Sequence, residues 1–297
     1  MANWDDLKVF LAVARSESLS GAGKVLKVDP ATVGRRIARF EAQMGALLFT
    51  KSPQGYALTA DGQRLMMRAI RAEDEMSRAF EGLAGETGQL SGQIRLGAPD
   101  GSANYLLPQV CAAIAERNPD LENQIVALPR VFNLSKREAD MAIGVSAPTA
   151  GRLHVEKLSD YKLHLAAARG YLDQAPPIKT LADLGQHRIV GYIQDMIFDR
   201  ELDYLGETGL EAVHLASNSV SVQINWIRQG AGVGVVHDFA IPSAPGVEKI
   251  LTGEISLTRS FYLIRHADNL RLERLNRFAA LLRDGMRAEV ARLEALT

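Results

Sequence analysis

The sequence predicts an α/β protein built in three consecutive parts: a small helical domain with a β-hairpin, a long linker helix, and a two-lobed α/β region. Three observations predict this fold class. Residues 1–59 hold three amphipathic helical segments followed by two short strands around a turn. Residues 60–83 carry an apolar heptad repeat. From residue 94 onward, apolar strands alternate with helices, which favours mainly parallel sheets covered by helices and divided into two subdomains.

The segment 29–45 predicts a capped helix with one basic face. Asp29 suits the N-cap, Pro30 the first helical position, and Gly45 the left-handed turn after a helix. The apolar residues fall on one face, at Val33, Ile37, Phe40 and Met44. The opposite face, which no acid of the segment interrupts before Glu41, carries one hydroxyl and three guanidinium groups, at Thr32, Arg35, Arg36 and Arg39. Such a face suits phosphate oxygens and base edges, but an ordinary solvated helix has the same pattern.

The flanking segments favour the nucleic-acid interpretation. A helix over 4–14 is followed by a short helix for which Ser20 is the expected N-cap. The expected buried side of that short helix consists of Ala22, Val25 and Leu26. A two-residue connection then leads to the basic helix, which is the helix-turn-helix pattern. Downstream, strands over 47–51 and 56–59 enclose a turn-rich tip and predict a hairpin, or wing.

Five motifs between residues 4 and 65 share the spacing of one known family. They are Leu7-x-x-Phe10-x-x-Val13-Ala14, Leu19-Ser20-x-Ala22-x-x-x-Leu26, Val33-x-x-x-Ile37-x-x-x-Glu41, Leu47-Leu48-Phe49 and Leu58-Thr59-x-x-Gly62. This region resembles the winged helix-turn-helix of LysR-type transcriptional regulators. The resemblance implies DNA contacts from ten residues, namely Ser20, Pro30, Ala31, Thr32, Gly34, Arg35, Arg36, Arg39, Lys51 and Gln54. Two of these depart from the family: Pro30 stands where a base-contacting Gln is usual, and Gly34 where a phosphate-contacting Ser is usual.

The charge of the chain is distributed unevenly. The whole chain has a net charge of −1, but residues 1–58 hold eight Lys or Arg and five acids, so the remainder carries −4. A local positive charge is sufficient for DNA binding because salt screens charges beyond about 8–10 Å. The acidic N-terminus predicts neither a secretion signal nor a transit peptide, the single Cys111 suits a reducing compartment, and no run of 18 apolar residues predicts a membrane span. We therefore expect a cytoplasmic protein.

The helix over 60–83 has an apolar seam. Its members are Leu65, Ala69, Ala72, Met76, Ala79 and Leu83, and Met66, Ile70 and Phe80 widen it. The stripe could pack on its own domain, but it is wider than a small domain is expected to cover, which favours pairing with a second copy. The resemblance also implies a homodimer through this helix, and commonly a homotetramer.

A glycine-rich hinge over 82–92 precedes the α/β region. Strands are expected over 94–97, 122–128, 139–145, 162–168, 188–193, 213–215, 233–237 and 261–265. Helices are expected over 106–117, 134–137, 181–184, 219–229 and 270–293.

This C-terminal region also resembles the LysR-type family. The matching motifs are Tyr105-Leu106-Leu107-Pro108, Arg117-x-Pro119-x-Leu121-Glu122, Arg137-Glu138-Ala139-Asp140-Met141-Ala142-Ile143, Leu181-x-Asp183-Leu184, Ser217-Asn218-Ser219 and Gly230-x-Gly232-Val233-Gly234. The resemblance implies an effector-binding domain of two Rossmann-like lobes, like a periplasmic solute-binding protein, with crossing segments near 160 and 266. The implied division is a DNA-binding domain over 1–59, a linker and hinge over 60–91, and an effector-binding domain over 92–297. Lobe I takes 92–161 and 267–297, and lobe II takes 162–266.

A ligand cleft is expected outside the carboxyl ends of the strands, where helices begin. Ser102 and Ser217 lie at such helix starts and could be plain N-caps or parts of anion seats. With the resemblance, we expect effector contacts from Ser102, Asn104, Ser146, Gln194, Asn218 and His237. Asp100 and Asp195 would repel a dianion and could favour an amine or a zwitterion.

The sequence contains no catalytic or metal-binding constellation. The glycines of 230–234 follow a helix and precede a strand, the reverse of the dinucleotide-binding order. The six histidines (residues 154, 164, 187, 214, 237 and 266) show no metal-ligand spacing, and there is no Gly-x-Ser-x-Gly elbow. Cys111 is expected to be a small buried residue. We therefore predict neither an enzyme nor a metal or other cofactor.

The sequence as a whole predicts a sequence-specific DNA-binding transcriptional regulator whose operator binding or activation is modulated by a small-molecule effector. Its partners would be double-stranded DNA, further copies of itself and, if it is an activator, RNA polymerase; no membrane is expected. Two alternatives come from other classes. One is a solute-binding protein of similar two-lobed fold without a DNA role, which the basic N-terminal region argues against. The other is an enzyme on the same fold, which the lack of convergent titratable groups argues against.

Overall fold

The computed structural model describes residues 4–52, 55–83, 89–127, 139–149, 151–206 and 212–297, without the side chains of 71, 74, 77–83, 268 and 271. The chain forms two compact units, Met1–Gly88 and Gln89–Thr297. Gln54 and the short helix expected over 134–137 lie outside the described residues. No helix in the described part of the chain is long and apolar enough to cross a membrane.

The first unit is a bundle of helices with a hairpin. Its elements are α1 (Trp4–Ser16), α2 (Leu19–Leu26), α3 (Pro30–Met44), β1 (Phe49–Ser52), β2 (Gly55–Leu58) and α4 (Ala60–Leu83). The two strands pair antiparallel with Phe49 opposite Leu58, which confirms the predicted wing. The core consists of aliphatic side chains around Phe10, Phe40 and Phe49. The apolar faces of α1 and α3 are buried there because both helices carry apolar residues at helical spacing.

The predicted ends of the basic helix are confirmed. The Asp29 carboxylate accepts a hydrogen bond from the Ala31 N–H at 2.8 Å, and Pro30 occupies the first turn. Gly45 ends α3 in the left-handed conformation, with a φ of 64°. The apolar face is one residue shorter than predicted, because Met44 in the last turn is 45% exposed.

Two expectations for α2 are wrong. The N-cap is Ser18 and not Ser20, since the Ser18 hydroxyl accepts a hydrogen bond from the Gly21 N–H at 3.3 Å. Val25 is 72% exposed because the side of α2 that packs on the core runs through positions 19, 22, 23 and 26. Gly23 is required on that side, since a Cβ there would meet the Val28 carbonyl oxygen at 2.7 Å.

The predicted seam of α4 is partly covered by its own unit. Met66 and Ala69 are buried, and Leu65 and Ile70 pack against the same core. The expectation that this stripe is too wide for its own domain is therefore wrong for the first turns. Met76, farther along the seam, is 37% exposed, and the side chains of residues 79 and 83 lie outside the described part.

The second unit contains a mixed sheet. Its strands are β3 (Gly92–Ala98), β4 (Leu121–Ala127), β5 (Met141–Gly144), β6 (Leu153–Ala168), β7 (Ile189–Gly191), β8 (Leu215–Ala216), β9 (Val233–His237), β10 (Val247–Lys249) and β11 (Leu257–His266). Among the described residues, the strand order is β4-β3-β5-β11-β6-β9-β7-β8, and β10 pairs with β6. The parallel groups β3-β4-β5 and β7-β8-β9 form lobe I and lobe II, which confirms the predicted fold class.

The expectation of mainly parallel sheets is wrong at the centre of the sheet. β6 and β11 pair antiparallel with each other, and β6 is antiparallel to β9, as β11 is to β5. These two strands cross between the lobes and run against their neighbours on both sides. β6 has 16 residues, far more than the expected 162–168, because it contributes to both lobes. The register of β11 against β6 shifts between Phe261 and Tyr262.

The helices of the second unit lie between these strands in the chain. They are α5 (Asp100–Tyr105), α6 (Leu107–Arg117), α7 (Arg169–Leu172), α8 (Val220–Arg228) and α9 (Glu273–Glu294), with short 3-10 turns over Leu181–Gln186, Gln194–Met196, Arg200–Leu202, Asp238–Ser243 and Ala267–Arg271. Cys111 of α6 is buried, as predicted, and burial raises the pKa of its thiol to about 11. It is therefore a protonated packing residue at neutral pH.

Candidate nucleic-acid interface and ligand site

The exposed face of α3 begins with a hydrogen-bonded pair. The Arg35 guanidinium donates to the Thr32 hydroxyl at 3.0 Å, and this contact is exposed. The bond holds one nitrogen of the guanidinium, and a guanidinium carries further N–H donors that an exposed side chain can offer to a ligand. An exposed guanidinium with restrained orientation can form the bidentate contacts that phosphates and guanine edges accept.

Arg36 and Arg39 have an internal partner that sequence reasoning missed. The Asp6 carboxylate of α1 is 2% exposed and accepts from Arg36 Nε at 3.2 Å and from Arg39 Nη2 at 2.7 Å. The expectation that no acid interrupts the basic face therefore holds only within α3, because this acid comes from another helix. The spacing of Asp6, Phe10 and Val13 places the carboxylate on the buried face of α1. A carboxylate there requires a cation nearby, and this signal was available in the sequence.

Glu41 links α3 to the wing. Its Oε1 accepts hydrogen bonds from the N–H groups of Leu48 at 2.7 Å and Phe49 at 3.1 Å. On the other side of the wing, Thr59 Oγ1 donates to the Leu47 carbonyl oxygen at 2.7 Å. A Cβ at Gly62 would lie 2.1 Å from the Leu48 carbonyl oxygen, so only glycine fits there. These motif residues set the position of the wing relative to α3.

The other predicted DNA contacts fall into two groups. Ser20, Pro30, Ala31 and Lys51 are exposed, and Lys51 Nζ lies 5.8 Å from the centre of the Tyr56 ring. Gly34 is half-buried, and a Cβ there would approach Leu19 Cδ1 to 3.2 Å. The absent side chain of Gly34 therefore faces α2 and permits the close packing of α2 on α3.

In the second unit, three of the six predicted effector residues line one cavity between the lobes. Ser102 comes from lobe I, and Asn218 and His237 come from lobe II. Ser102 and Asn218 follow the carboxyl ends of β3 and β8, and His237 is the last residue of β9, as the general rule for such sheets predicts. The cavity has a volume of about 20 Å³, which is room for roughly one water molecule.

The other three predicted effector residues are elsewhere. The Ser146 hydroxyl donates to the Asp199 carboxylate, so it joins the lobes beside the cavity. The Asn104 amide donates to the Asp100 carboxylate at 3.1 Å. Gln194 is exposed and lies beside a different small cavity, which Tyr192 and Tyr204 also line.

Aromatic rings that sequence reasoning missed form part of the cavity wall. Tyr161 stacks on Phe261 with ring centres 4.2 Å apart and on His237 at 5.4 Å. The Tyr204 hydroxyl lies 3.3 Å from His237 Nε2. Burial raises the pKa of the Tyr161 and Tyr204 hydroxyls and lowers the pKa of His237 to about 3. These groups are therefore uncharged at neutral pH.

Two buried polar atoms at this cavity have no hydrogen bond of normal distance and angle to the described residues. They are Nδ1 of His237 and the hydroxyl of Tyr161, which lies beside that of Tyr204. Their residues are 4% and 1% exposed. No element was predicted around Tyr204, and Tyr161 lies one residue before the expected strand, so neither residue stood out in the sequence.

Neither Ser102 nor Ser217 is an N-cap. Pro99 stands at the N-cap position of α5, and the Ser102 hydroxyl donates to the Pro99 carbonyl oxygen at 3.1 Å. Ser219 caps α8 through a hydrogen bond from the Val222 N–H at 3.3 Å, and Ser217 Oγ accepts from the Ser219 N–H. The simple N-cap interpretation of both predicted positions is therefore wrong.

Comparison with protein-family models gives two matches. Residues 4–63 match the bacterial regulatory helix-turn-helix protein, lysR family, and residues 87–287 match the LysR substrate binding domain. The second match begins at residue 87, two residues before the second unit.

Individual proteins agree with the family models. The transcriptional regulator PtxR of Pseudomonas aeruginosa is 26% identical over 244 residues, covering 80% of this chain and 78% of PtxR. The transcriptional activator TtdR of Escherichia coli is 25% identical, with 77% and 75% covered.

Among solved structures, a full-length OxyR variant from Pseudomonas aeruginosa has a TM-score of 0.70 at 19% identity, covering 97% of this chain and 98% of that one. CrgA from Neisseria meningitidis has a TM-score of 0.59 at 22% identity, covering 96% and 99%. Because their sequence identities to this chain are low, the solved structures establish the fold alone. The family models show to which family the sequence belongs. The chain, with a winged helix-turn-helix ahead of a two-lobed sheet, belongs to the LysR family of bacterial transcriptional regulators.

Proposed function

We propose that this protein is a sequence-specific DNA-binding regulator whose operator binding or activation responds to a small-molecule effector. The observation that carries the proposal is the exposed Thr32–Arg35 pair on a capped helix that Glu41 joins to a wing. A helix of this kind lies in the major groove with its first turns at base edges, while a wing contacts the backbone.

The three arginines of α3 have different roles in this proposal. Arg35 contacts a base edge, because its side chain is exposed and its bond to Thr32 restrains its orientation. Arg36 and Arg39 keep their bonds to Asp6 and direct their remaining N–H groups to phosphate oxygens. Lys51 on the wing adds a further phosphate contact.

The effector binds in the cavity between the lobes, with Ser102, Asn218 and His237 on its wall. The unpaired Nδ1 of His237 supports this location, since buried polar atoms in native proteins almost always have partners. A ligand that bridges two lobes changes their arrangement if its affinity for the two arrangements differs.

Assembly occurs through the later turns of α4. The partly exposed Met76 and the half-buried Ala72 continue the apolar stripe beyond the part covered by the first unit. We propose a cytoplasmic homodimer, further paired into a homotetramer, that contacts RNA polymerase if it is an activator. A dimer fits DNA half-sites related by two-fold symmetry.

A gel-shift experiment tests the DNA role. The probe is the DNA upstream of the gene for this chain, compared with a shuffled sequence of the same composition. Arg35→Ala should weaken binding to the upstream DNA by about 1–3 kcal/mol and reduce the preference for it over the shuffled DNA. Arg64→Ala, which removes an exposed arginine paired with Asp61 on α4, is the matched control and should retain that preference. Equal effects of the two variants on the preference would contradict the proposal.

A further inference from the structure

We propose that Asp100 determines which charge the effector can carry. Its carboxylate occupies the anion-binding position that the donor groups at the start of α8 form. The cleft therefore accepts an uncharged ligand and excludes a carboxylate. This inference rests on the proposed function, because it takes the cavity between the lobes to be the effector site. Asp100 lies in lobe I and α8 in lobe II, so the contact also bridges the cleft.

The hydrogen bonds of Asp100 are those of a bound anion. Its Oδ2 accepts from the Ser221 N–H at 2.9 Å, from the Ser219 hydroxyl at 3.1 Å and from the Ser221 hydroxyl at 3.2 Å. The start of a nine-residue helix presents free N–H groups and the positive end of its dipole. An effector carboxylate would need these same donors and would have to displace Asp100 to reach them.

The rest of the cavity offers nothing to neutralise an anion. Its lining residues include no Lys or Arg within the part of the chain that the structure describes, and Asp100 is the one acid among them. The guanidinium that acts on Tyr161 and Tyr204 belongs to Arg259, which Glu201 holds in an ion pair at 2.9 Å. A carboxylate in the cavity would therefore lose its hydration next to a like charge, and both effects are unfavourable.

The same cavity suits an uncharged group with hydrogen-bonding capacity. Nδ1 of His237 is buried and has no hydrogen bond to the described residues, and the Tyr161 hydroxyl lies beside that of Tyr204. The burial that lowers the pKa of His237 also penalises any charge beside it. The rings of Tyr192, Phe198, Tyr204 and Phe261 form flat apolar walls. A planar molecule with an amide, carbonyl or hydroxyl group matches this combination.

Ligand entry must open the cleft. The cavity holds roughly one water molecule in the present arrangement, so a ring-sized ligand must separate the lobes. The bonds from Asp100 to α8 and from Ser146 to Asp199 cross between the lobes at this point. Effector entry is therefore coupled to opening of these contacts, and Asp100 regains its donors on α8 once an uncharged ligand is bound.

Three probes of nearly identical shape separate the possible charges. Benzamide is neutral, benzoate is an anion and benzamidine is a cation. Titration calorimetry on the full-length protein should give an affinity for benzamide at least about tenfold higher than for either charged probe. In Asp100→Ala, the affinity for benzoate should rise about tenfold or more, because the donors of α8 become available. Adding Ser219→Ala and Ser221→Ala to that variant should reverse the gain.

Two further variants complete the test. Asp195→Ala removes an exposed carboxylate on the turn Gln194–Met196 and should leave the order of the three probes unchanged. Asp100→Asn keeps an oxygen acceptor for α8 but removes the charge, so it should gain a smaller part of the benzoate affinity. Asp100→Asn therefore tests the effect of the Asp100 charge on benzoate affinity even if Asp100→Ala does not fold.

The proposal requires both a preference for benzamide in the wild-type protein and a gain of benzoate affinity without the Asp100 charge. Tighter binding of benzoate or benzamidine by the wild-type protein overturns it but leaves the cleft as the effector site. Absence of binding by all three probes, in the wild-type protein and the variants, overturns it as well. The gel-shift comparison of Arg35→Ala with Arg64→Ala stays independent of all these outcomes and tests the DNA role separately.

Discussion

At the scale of single residues, Asp6 shows how a buried charge restrains an exposed face. Its carboxylate lies in the core of the first unit and holds Arg36 and Arg39 of α3 at hydrogen-bonding distance. Bonds between charged groups are stronger than neutral ones, and the loss of one partner is costly when the other group is buried. Asp6 therefore contributes both to stability and to the orientation of two guanidinium groups.

Asp6→Asn should lower the free energy of unfolding of the first unit by about 1–3 kcal/mol, because two charge-assisted bonds are weakened. It should also strengthen binding to non-operator DNA, since it removes a negative charge beside two guanidinium groups that contact phosphates. Urea denaturation and fluorescence anisotropy over a range of KCl concentrations measure the two effects. Asp61→Asn removes the same charge from the exposed ion pair with Arg64 and is the control. If the two variants lose equal stability, Asp6 has no special role.

His237 gives the second unit a specific dependence on pH. Burial lowers its pKa in the folded protein to about 3, below the ordinary value of 6.5. As the pH falls through 6.5, the unfolded chain binds a proton that the folded chain does not. The stabilisation that is present above pH 6.5 is therefore lost progressively towards pH 3, at about 1.4 kcal/mol per pH unit.

His237→Phe keeps an aromatic ring in the stack with Tyr161 but removes the titrating group. The loss of stability of the second unit between pH 7 and pH 5 should be smaller in this variant by about 2 kcal/mol. Differential scanning calorimetry at the two pH values measures the difference. Parallel pH profiles of the two proteins would show that His237 titrates normally in the folded state.

At the scale of elements, α3 and the wing form one unit through Glu41. The Glu41 carboxylate satisfies the N–H groups of Leu48 and Phe49, which are both buried residues at the start of the hairpin. Without it, two donors would lose their partner, and buried donors without partners are costly. The position of the wing on DNA therefore depends on this side chain.

Glu41→Ala should destabilise the first unit by about 1–3 kcal/mol and weaken operator binding, because the wing loses its connection to α3. Glu41→Gln keeps a carbonyl oxygen at the same place and should retain most of both properties. Urea denaturation and gel shifts on the same preparations provide the comparison. An equal loss in the two variants would mean that the charge, and not the connection to the wing, is what matters.

At the scale of the whole molecule, the apolar stripe of α4 serves two purposes. Its first turns complete the core of the first unit, and we propose that its later turns pair with a second copy. Met76 lies on the later part of the stripe, whereas Met67 is 61% exposed on a different side of the helix. The two methionines therefore offer a matched pair of positions.

Met76→Lys should reduce the molar mass measured by size-exclusion chromatography with light scattering, because an unpaired charge in an apolar contact is costly. Met67→Lys introduces the same charge outside the stripe and should leave the molar mass unchanged. If both variants keep the mass of the wild-type protein, the later turns of α4 do not hold the assembly together.

Local features of this fold could be predicted from the sequence because their causes are local. The Asp29 cap, Pro30 in the first turn and Gly45 at the end of α3 involve groups only a few residues apart. Strands β3 and β9 and helices α4 and α6 follow from apolar periodicity, which is also a property of neighbouring residues. The basic helix between a short helix and a wing is a pattern of consecutive segments, and it was sufficient to predict a DNA-binding regulator.

Tertiary structure alone decided the contacts that define the two candidate sites. Asp6 meets Arg39 across 33 positions, and Asp100 meets Ser219 across 119. The antiparallel crossing of β6 and β11 brings Tyr161 and Phe261 together and closes the cavity wall with His237 from a third strand. Such pairs depend on how whole elements pack against one another. The spacing of residues along the chain predicts which face of a helix or strand a side chain occupies. It does not predict which distant side chain lies opposite.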